Sequence, residues 1–454
     1  MNKFIKQILE NKIVKNSLIL INGTIISQII NVILSPFMSR LYSPADFGKY
    51  STISAIVVLI AVIANGKYDL AIMDAKDNEK ERKATYFGGM LLTIITCISV
   101  VLIGGILLNF TEILNDYTFI DIIIIAVFTF FTSNNSIVNI WLNKTGHYKQ
   151  ISKNRILYSV IHATGIIILG LLHFSYIGII LSVLAAYFAQ FIYVYFFLYR
   201  KTNFKEYKFV WKDVTYQLKK HIKFPKYQMP SLLLNNASTQ MPVILFNKFF
   251  SSAVSGWYSM TIKVINLPMS VVGSAIGEVY FKEASEIQAS NNKKRLSEFT
   301  YKTFRKLLLI GIIPMGILFA YGDVLFSFVL GEQWRMAGVY AMFLSPWYFI
   351  VFVTSPFTHL FAVLNKQNKN LILNILMLLS RVIAIIGGYL IFGTESIYTV
   401  LVFAIVGFII WTLTNGYLFK LVDIPYRKSV LSTICIFIIA CVVCYIPRLI
   451  INLV

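Results

Sequence analysis

Apolar runs separated by short polar gaps organise this chain from end to end. Thirteen runs can be drawn, at 17–39, 50–66, 86–109, 119–142, 155–173, 176–199, 227–247, 254–280, 306–322, 337–363, 370–392, 396–419 and 429–447. Most reach the roughly 20 residues that carry an α-helix across a hydrocarbon core. Lys and Arg collect before the first run and in every second gap, which together hold 34 of the 41 basic residues. The alternate gaps and the C-terminus hold only Arg40, Lys49, Lys248, Arg335 and Arg448. Because Lys and Arg resist translocation, this alternation predicts an all-α integral membrane protein with a cytoplasmic N-terminus and its C-terminus outside. Met1–Lys15 is basic and precedes an apolar run, as in a signal peptide. No small-residue cleavage site follows at the right place, and Asn22, Gln28 and Asn31 interrupt the apolar core, so a retained first helix is expected.

The chain also matches itself. Arg40–Ser51 aligns without gaps to Lys248–Ser259, with identity at Ser43/Ser251, Ala45/Ala253, Gly48/Gly256, Tyr50/Tyr258 and Ser51/Ser259. Leu142-Asn143-Lys144 matches Leu364-Asn365-Lys366. Both matches lie six runs apart, and six is even, so the repeats enter the membrane with the same orientation, as parallel repeats do. The expected organisation is an N-terminal six-helix bundle over 1–200, a basic cytoplasmic linker over 201–226, a C-terminal six-helix bundle over 227–419, and an extra transmembrane helix over 420–454. The linker is expected to carry an amphipathic surface helix around Trp211–Leu218. Transporters of parallel-repeat build hold their substrate between the repeats and expose it alternately.

Composition agrees with a membrane protein. Only 13% of residues are charged, against about 25% in soluble domains, and mean hydropathy is +0.72. The net charge of +21 lies mostly on the cytoplasmic face, where anionic lipid headgroups account for it and no nucleic acid is needed. Cys97, Cys435, Cys441 and Cys444 all fall in apolar runs, so Cys441-Val-Val-Cys444 reads as packing rather than redox chemistry. Outer gaps never exceed about fifteen residues, too few for an external catalytic domain. No Gly-rich phosphate loop precedes a Lys-Ser/Thr, and His147, His162, His173, His221 and His359 show no metal spacing. The chain is therefore expected not to be an enzyme, and to hold no metal or cofactor beyond a coupling ion, H+ or Na+.

Charge inside a span is costly and signals function. Arg381 lies mid-way along its run, and Lys263 within another, so both are candidates to line a polar cavity and bind an anionic headgroup. The planar guanidinium suits phosphate oxygens. An internal ion pair or a snorkelling side chain is the structural alternative. Glu278 is expected at the interface. Asn134, Asn135 and Asn139, with Asn235, Asn236 and Gln240, need partners at lipid depth, and either interhelical hydrogen bonds or a water-filled cavity would supply them. Of these, Asn135, Asn235, Asn236 and Gln240 are assigned to the cavity wall. His162 is a candidate coupling group or a neutral hydrogen-bonding partner, and Asp69 either couples an ion or pairs with Lys67.

Several segments resemble the Wzx-type polysaccharide flippases of the multidrug/oligosaccharidyl-lipid/polysaccharide exporter superfamily. They are Arg40-Leu-Tyr-Ser-Pro-Ala-Asp-Phe-Gly-Lys-Tyr50, Tyr68-Asp69-Leu-Ala-Ile72, Trp141-Leu-Asn-Lys144, Phe224-Pro-Lys-Tyr227, Gly256-Trp-Tyr258 with Leu267-Pro268, and Gly331-Glu-Gln-Trp334. Each is short, and their order and placement carry the resemblance. It implies twelve core helices in two bundles, and passage of undecaprenyl-pyrophosphate-linked oligosaccharide repeat units to the outer leaflet for O-antigen or capsule synthesis. It further implies a bacterial cytoplasmic membrane and, as partners, a polysaccharide polymerase and a chain-length regulator. The thirteenth run departs from the family's even helix count. The alternatives are a drug or small-molecule antiporter on the same architecture, an exporter of the peptidoglycan lipid precursor, a membrane-embedded glycosyltransferase or polymerase, and a non-transporting scaffold.

Overall fold

The computed structural model describes residues 12–74, 78–110, 117–201, 210–269 and 273–453, and all regular elements among them are helical. The chain runs through α1 (Lys12–Leu41), α2 (Pro44–Ala64), α3 (Tyr68–Asp74), α4 (Glu79–Phe110), α5 (Phe119–Lys144), α6 (Tyr148–Leu171) and α7 (Tyr176–Lys201). It continues as α8 (Trp211–Lys220), a π turn at Phe224–Gln228, α9 (Met229–Phe249), α10 (Ser252–Pro268), α11 (Ser274–Ala289) and α12 (Lys293–Leu330). Last come α13 (Arg335–Thr354), α14 (Leu360–Val363), α15 (Gln367–Phe392), α16 (Ser396–Lys420) and α17 (Ser432–Leu453). Among the described residues, ten helical segments are long and apolar enough to cross a membrane. Each satisfies its backbone polar groups internally, which a hydrocarbon environment demands. The protein is an all-α, multi-pass membrane protein.

Local chemistry sets the helix starts. Thr118 and Asp121 form a reciprocal capping box at α5: the Asp121 amide donates to Thr118 Oγ1 and the Thr118 amide to Asp121 Oδ2. Ser43 and Asp46 do the same at α2, and Ser251 caps α10 by accepting from the Val254 amide. Ser43 and Ser251 are equivalent positions of the internal repeat, so the repeat records a repeated cap.

The run at 254–280 is described as two stretches, α10 up to Pro268 and α11 from Ser274, and residues 270–272 between them lie outside the described residues. Two elements differ from the sequence expectation. The polar stretch at 282–305 is no open gap, because α11 and α12 fill it and meet at a turn through Asn291, which sits in the left-handed region at φ 52°. The run at 337–363 is divided, with α13 ending at Thr354 and a 3-10 turn at Ser355–His359 before α14. Helix α12 is itself kinked at Tyr321, where φ −130° and ψ 16° leave the helical region. Parts of the expected elements fall outside the described residues: 1–11, 111–116, 202–209, 270–272 and the side chain of Cys444.

The chain packs as two compact units. The first takes Met1–Tyr42 with Thr52–Gln240, the second Ser43–Ser51 with Met241–Val454. The segment expected as a linker, where described, groups with the first unit. That unit's core gathers Ile72, Ile137, Trp141, Leu142, Ile151 and Val194.

In the second unit Phe304, Phe357 and Phe419 pack edge-on and tilted against one another, and Phe357 also meets Tyr280 edge-on. Helix α17, expected as an appendage, is tied to α12 by a bidentate pair. Arg448 donates through both terminal nitrogens to the two Asp323 carboxylate oxygens, each at 2.8 Å, and also to the Ala320 carbonyl.

Candidate functional site

In the first unit, polar side chains of α5, α6 and α7 meet. The Asn135 carboxamide oxygen accepts from Asn139 Nδ2 at 3.0 Å and from Asn154 Nδ2 at 3.4 Å. Gln190 Nε2 donates to the Asn154 carbonyl at 2.8 Å, drawing α7 into the group. One position along α5, Ser136 Oγ donates to Asp69 Oδ2 at 2.6 Å. Asp69 is buried and pairs with Lys67 at 3.8 Å. His162 stacks on Tyr158, with ring centroids 5.5 Å apart, and Tyr158 in turn meets Tyr187 of α7 at 4.9 Å. Beside this group lies a cavity of about 370 Å³ lined by Tyr86, Phe87, Met90, Asn134, Tyr195 and Tyr199 among others. Tyr86 reaches across it to Asn134, OH to Oδ1 at 3.4 Å.

The structure thus joins Asn135 to Asn139 and Asn154, and Asp69 to Ser136, while His162 makes an aromatic contact with Tyr158. It does not bring in the amides of α9. Asn235 is exposed, Asn236 donates to the Leu232 carbonyl of its own helix, and Gln240 is half-buried. Among the described residues no hydrogen bond joins these three to another candidate. Asn154 and Gln190 are members that sequence reasoning missed. Asn154 was counted within a basic gap, and helix α6 begins early enough to carry it inward. Gln190 was legible as a lone amide inside an apolar run.

The second unit holds the two cations. Arg381 lies half-buried on α15 with its guanidinium carbon 5.3 Å from the centre of the Trp347 ring. Trp347 is itself fixed by Tyr348 at 5.1 Å and Phe403 at 5.1 Å, and Tyr258 of α10 meets Phe403 at 5.8 Å. A cation held over an indole has its planar face stabilised by the ring. Gly407 makes room for this floor: a Cβ there would fall 2.4 Å from the Trp347 ring. Trp347, Tyr348 and Gly407 were not singled out in the sequence, because aromatics in an apolar run read equally well as packing.

Lys263, on α10, places its ammonium 5.8 Å from the centre of the Phe47 ring. Among the described residues Lys263 has no carboxylate within ion-pair distance. Glu278 is exposed on α11. A cavity of about 670 Å³ lies elsewhere in this unit, between α12, α13, α16 and α17. Phe319, Phe343, Phe349, Phe437, Ile438 and Tyr445 are among its mostly apolar lining, so it suits hydrocarbon and offers little to a charged or sugar group. No group of three His, Cys, Asp or Glu side chains able to hold a metal occurs among the described residues.

A family model described as polysaccharide biosynthesis protein matches residues 37–338, about two thirds of the chain. The chain belongs to that family. No curated protein matches the chain in sequence. Solved structures share its fold. Lipid II flippase MurJ in an inward closed conformation aligns with a TM-score of 0.73 at 14% identity, over 95% of this chain and 92% of that one. An inward-facing multidrug resistance MATE transporter of the MOP superfamily aligns with a TM-score of 0.65 at 12% identity, over 87% and 94%. A MOP superfamily transporter from Pyrococcus furiosus gives 0.52 at 12% identity, over 91% and 95%.

Proposed function

We propose that this polysaccharide biosynthesis protein is a flippase that carries undecaprenyl-pyrophosphate-linked oligosaccharide repeat units across the bacterial cytoplasmic membrane. The observation that carries this reading is Arg381, a permanent cation held on the Trp347 ring within a membrane-spanning helix. An ionisable residue inside a membrane span marks a candidate substrate site. A pyrophosphate supplies the charge, and the forked guanidinium is the side chain best shaped to receive it. Lys263, in the same unit and without a carboxylate partner among the described residues, adds a second positive charge. The amide and tyrosine group around Asn135, Asn154 and Tyr86 offers donors and acceptors of the kind a glycan needs. The apolar cavity walled by Phe319, Phe349 and Phe437 is of the kind a polyprenyl chain needs.

In this reading the helices form a twelve-helix core, α1, α2 and α4–α7 in one bundle and α9, α10, α12, α13, α15 and α16 in the other, with α17 added. Transport proceeds by exposing the headgroup site to one membrane face and then the other. Carrying the charge through a polar interior removes most of the desolvation barrier. Nothing in it requires covalent chemistry. Asn235, Asn236 and Gln240 join the cavity wall during the cycle, and Asp69 or His162 couples it to H+ or Na+. A polymerase and a chain-length regulator would act on the delivered unit.

Deleting the gene tests the reading. Lipid-linked repeat units should accumulate in the inner leaflet while surface polysaccharide disappears, and wild type should restore both. Unchanged surface polysaccharide in the deletion strain would exclude it and favour drug or small-molecule antiport, which efflux assays would then measure.

A further inference from the structure

Helix α8 and the turn after it present two unlike faces. The inner face is docked on the first unit: Val214 and Gln217 are buried, Leu218 packs against Gly88, and the Tyr68 hydroxyl donates to the Leu218 carbonyl at 2.8 Å. Two ion pairs fix the ends, Lys80–Asp213 at 2.8 Å and Lys220–Glu81 at 3.0 Å. With rotation about its axis prevented, α8 must offer its other face outward. On that face Trp211, Tyr216, Ile222 and Tyr227 are each more than half exposed.

Between them stand the exposed Lys212, Lys219, Lys223 and Lys226, none of which has a carboxylate partner among the described residues. Asp213 is the only acid from 210 to 228, and it is already paired with Lys80. The element lies in the chain between the membrane-spanning α7 and the apolar α9, so it sits at the edge of the bilayer.

Four large apolar or aromatic side chains interleaved with unpaired lysines would be poorly accommodated by bulk water. Amphipathic rings at headgroup depth with lysines reaching phosphates is the arrangement that an anionic bilayer surface stabilises. We infer that the Trp211–Tyr227 face is a docking surface for anionic phospholipid headgroups of the inner leaflet. The rings enter the interfacial layer and Lys212, Lys219 and Lys223 hold the phosphates, whatever cargo the protein carries.

Full-length protein in nanodiscs of equal phosphatidylglycerol and phosphatidylcholine, with bromine on the chains of one lipid at a time, provides the test. The difference between wild type and Trp211→Phe isolates the fluorescence of Trp211. Its quenching by brominated phosphatidylglycerol should exceed that by brominated phosphatidylcholine at least about three-fold, since each lysine near an anionic surface contributes about 1 kcal/mol, or roughly five-fold. Lys212→Glu, Lys219→Glu and Lys223→Glu together should equalise the two, and the corresponding Gln variant should fall between. These lysines are exposed, so the variants should remain monodisperse. Equal quenching by the two lipids in wild type, or none by either, would overturn the inference, and none by either would assign the face to the cytosol and to an acidic protein. A preference unchanged in the triple Glu variant would overturn it as well.

Discussion

Gly48 and Gly256 face each other across a crossing of α2 and α10, and their contacts are reciprocal. A Cβ on Gly48 would fall 1.7 Å from the Ser252 carbonyl oxygen, and one on Gly256 would fall 1.9 Å from the Pro44 carbonyl oxygen. In the alignment of the repeats, Gly48 corresponds to Gly256 and Pro44 to Ser252, so each contact is the image of the other. Small residues four apart let helix backbones touch in membranes, where packing rather than the hydrophobic effect drives association.

Substitution at this crossing should therefore be costly. Gly256→Ala is expected to destabilise the protein by about 1–3 kcal/mol, the usual cost of overpacking, and Gly48→Ala similarly. Gly387→Ala should be neutral or slightly stabilising, because nothing lies within 4 Å of a Cβ there. Thermal unfolding followed by fluorescence-detected size exclusion in detergent compares the three.

The Asp323–Arg448 pair should anchor α17. Both side chains are mostly buried, with relative exposures of 10% and 20%. Removing one partner should cost on the order of 2–3 kcal/mol, since it leaves the other charge unpaired in a partly buried site. Arg448→Ala and Asp323→Ala together should cost less than the sum of the two singles. Protease sensitivity of the C-terminal helix in intact proteoliposomes reports the effect, with a protected helix in the double-charge swap Asp323→Arg, Arg448→Asp supporting direct pairing.

How far the sequence revealed this molecule depends on which force set each feature. The apolar runs were legible because membrane burial tolerates little else, and the repeat was legible because the cap serines and the crossing glycines leave no room for substitution. In the sequence Arg448 reads only as a charge on the outer side, and Asp323 carries no signal of its own. Their pairing depends on a tertiary contact 125 residues apart in the chain, which no local pattern encodes. Arg381 was legible through its cost in lipid, whereas its seat on Trp347 was not, since an indole in an apolar run carries no mark of what lies above it.

The docking of α8 should depend on pH through His221. Burial, then the neighbouring Lys220, lower the His221 pKa from its ordinary 6.5, with Asp74 and Glu81 opposing. The folded protein therefore holds fewer protons on this ring than the unfolded chain does. Stability contributed here is present above about pH 6.5 and is lost as pH falls through the lowered folded value. Hydrogen exchange of the 211–220 amides should quicken between pH 7 and pH 5 relative to the intrinsic rate, by roughly the loss that protonating one buried ring implies. His221→Gln should flatten that dependence.

Ser136 should matter through Asp69. Its hydroxyl donates at 2.6 Å to a carboxylate that is only 2% exposed, and hydrogen bonds to charged groups contribute about 1.5–3 kcal/mol. Ser136→Ala should lower the unfolding temperature by several degrees, and Ser136→Thr should recover part of it.

The most direct test of the account reconstitutes purified protein in liposomes carrying fluorescent undecaprenyl-pyrophosphate-linked oligosaccharide and measures how fast the lipid reaches the opposite leaflet. Wild type should accelerate transfer over empty liposomes, Arg381→Ala should return it to within about ten-fold of the empty rate, and Arg381→Lys should fall between, because a point charge lacks the fork. Transfer by a well-folded Arg381→Ala at the wild-type rate would contradict the claim that this cation receives the pyrophosphate.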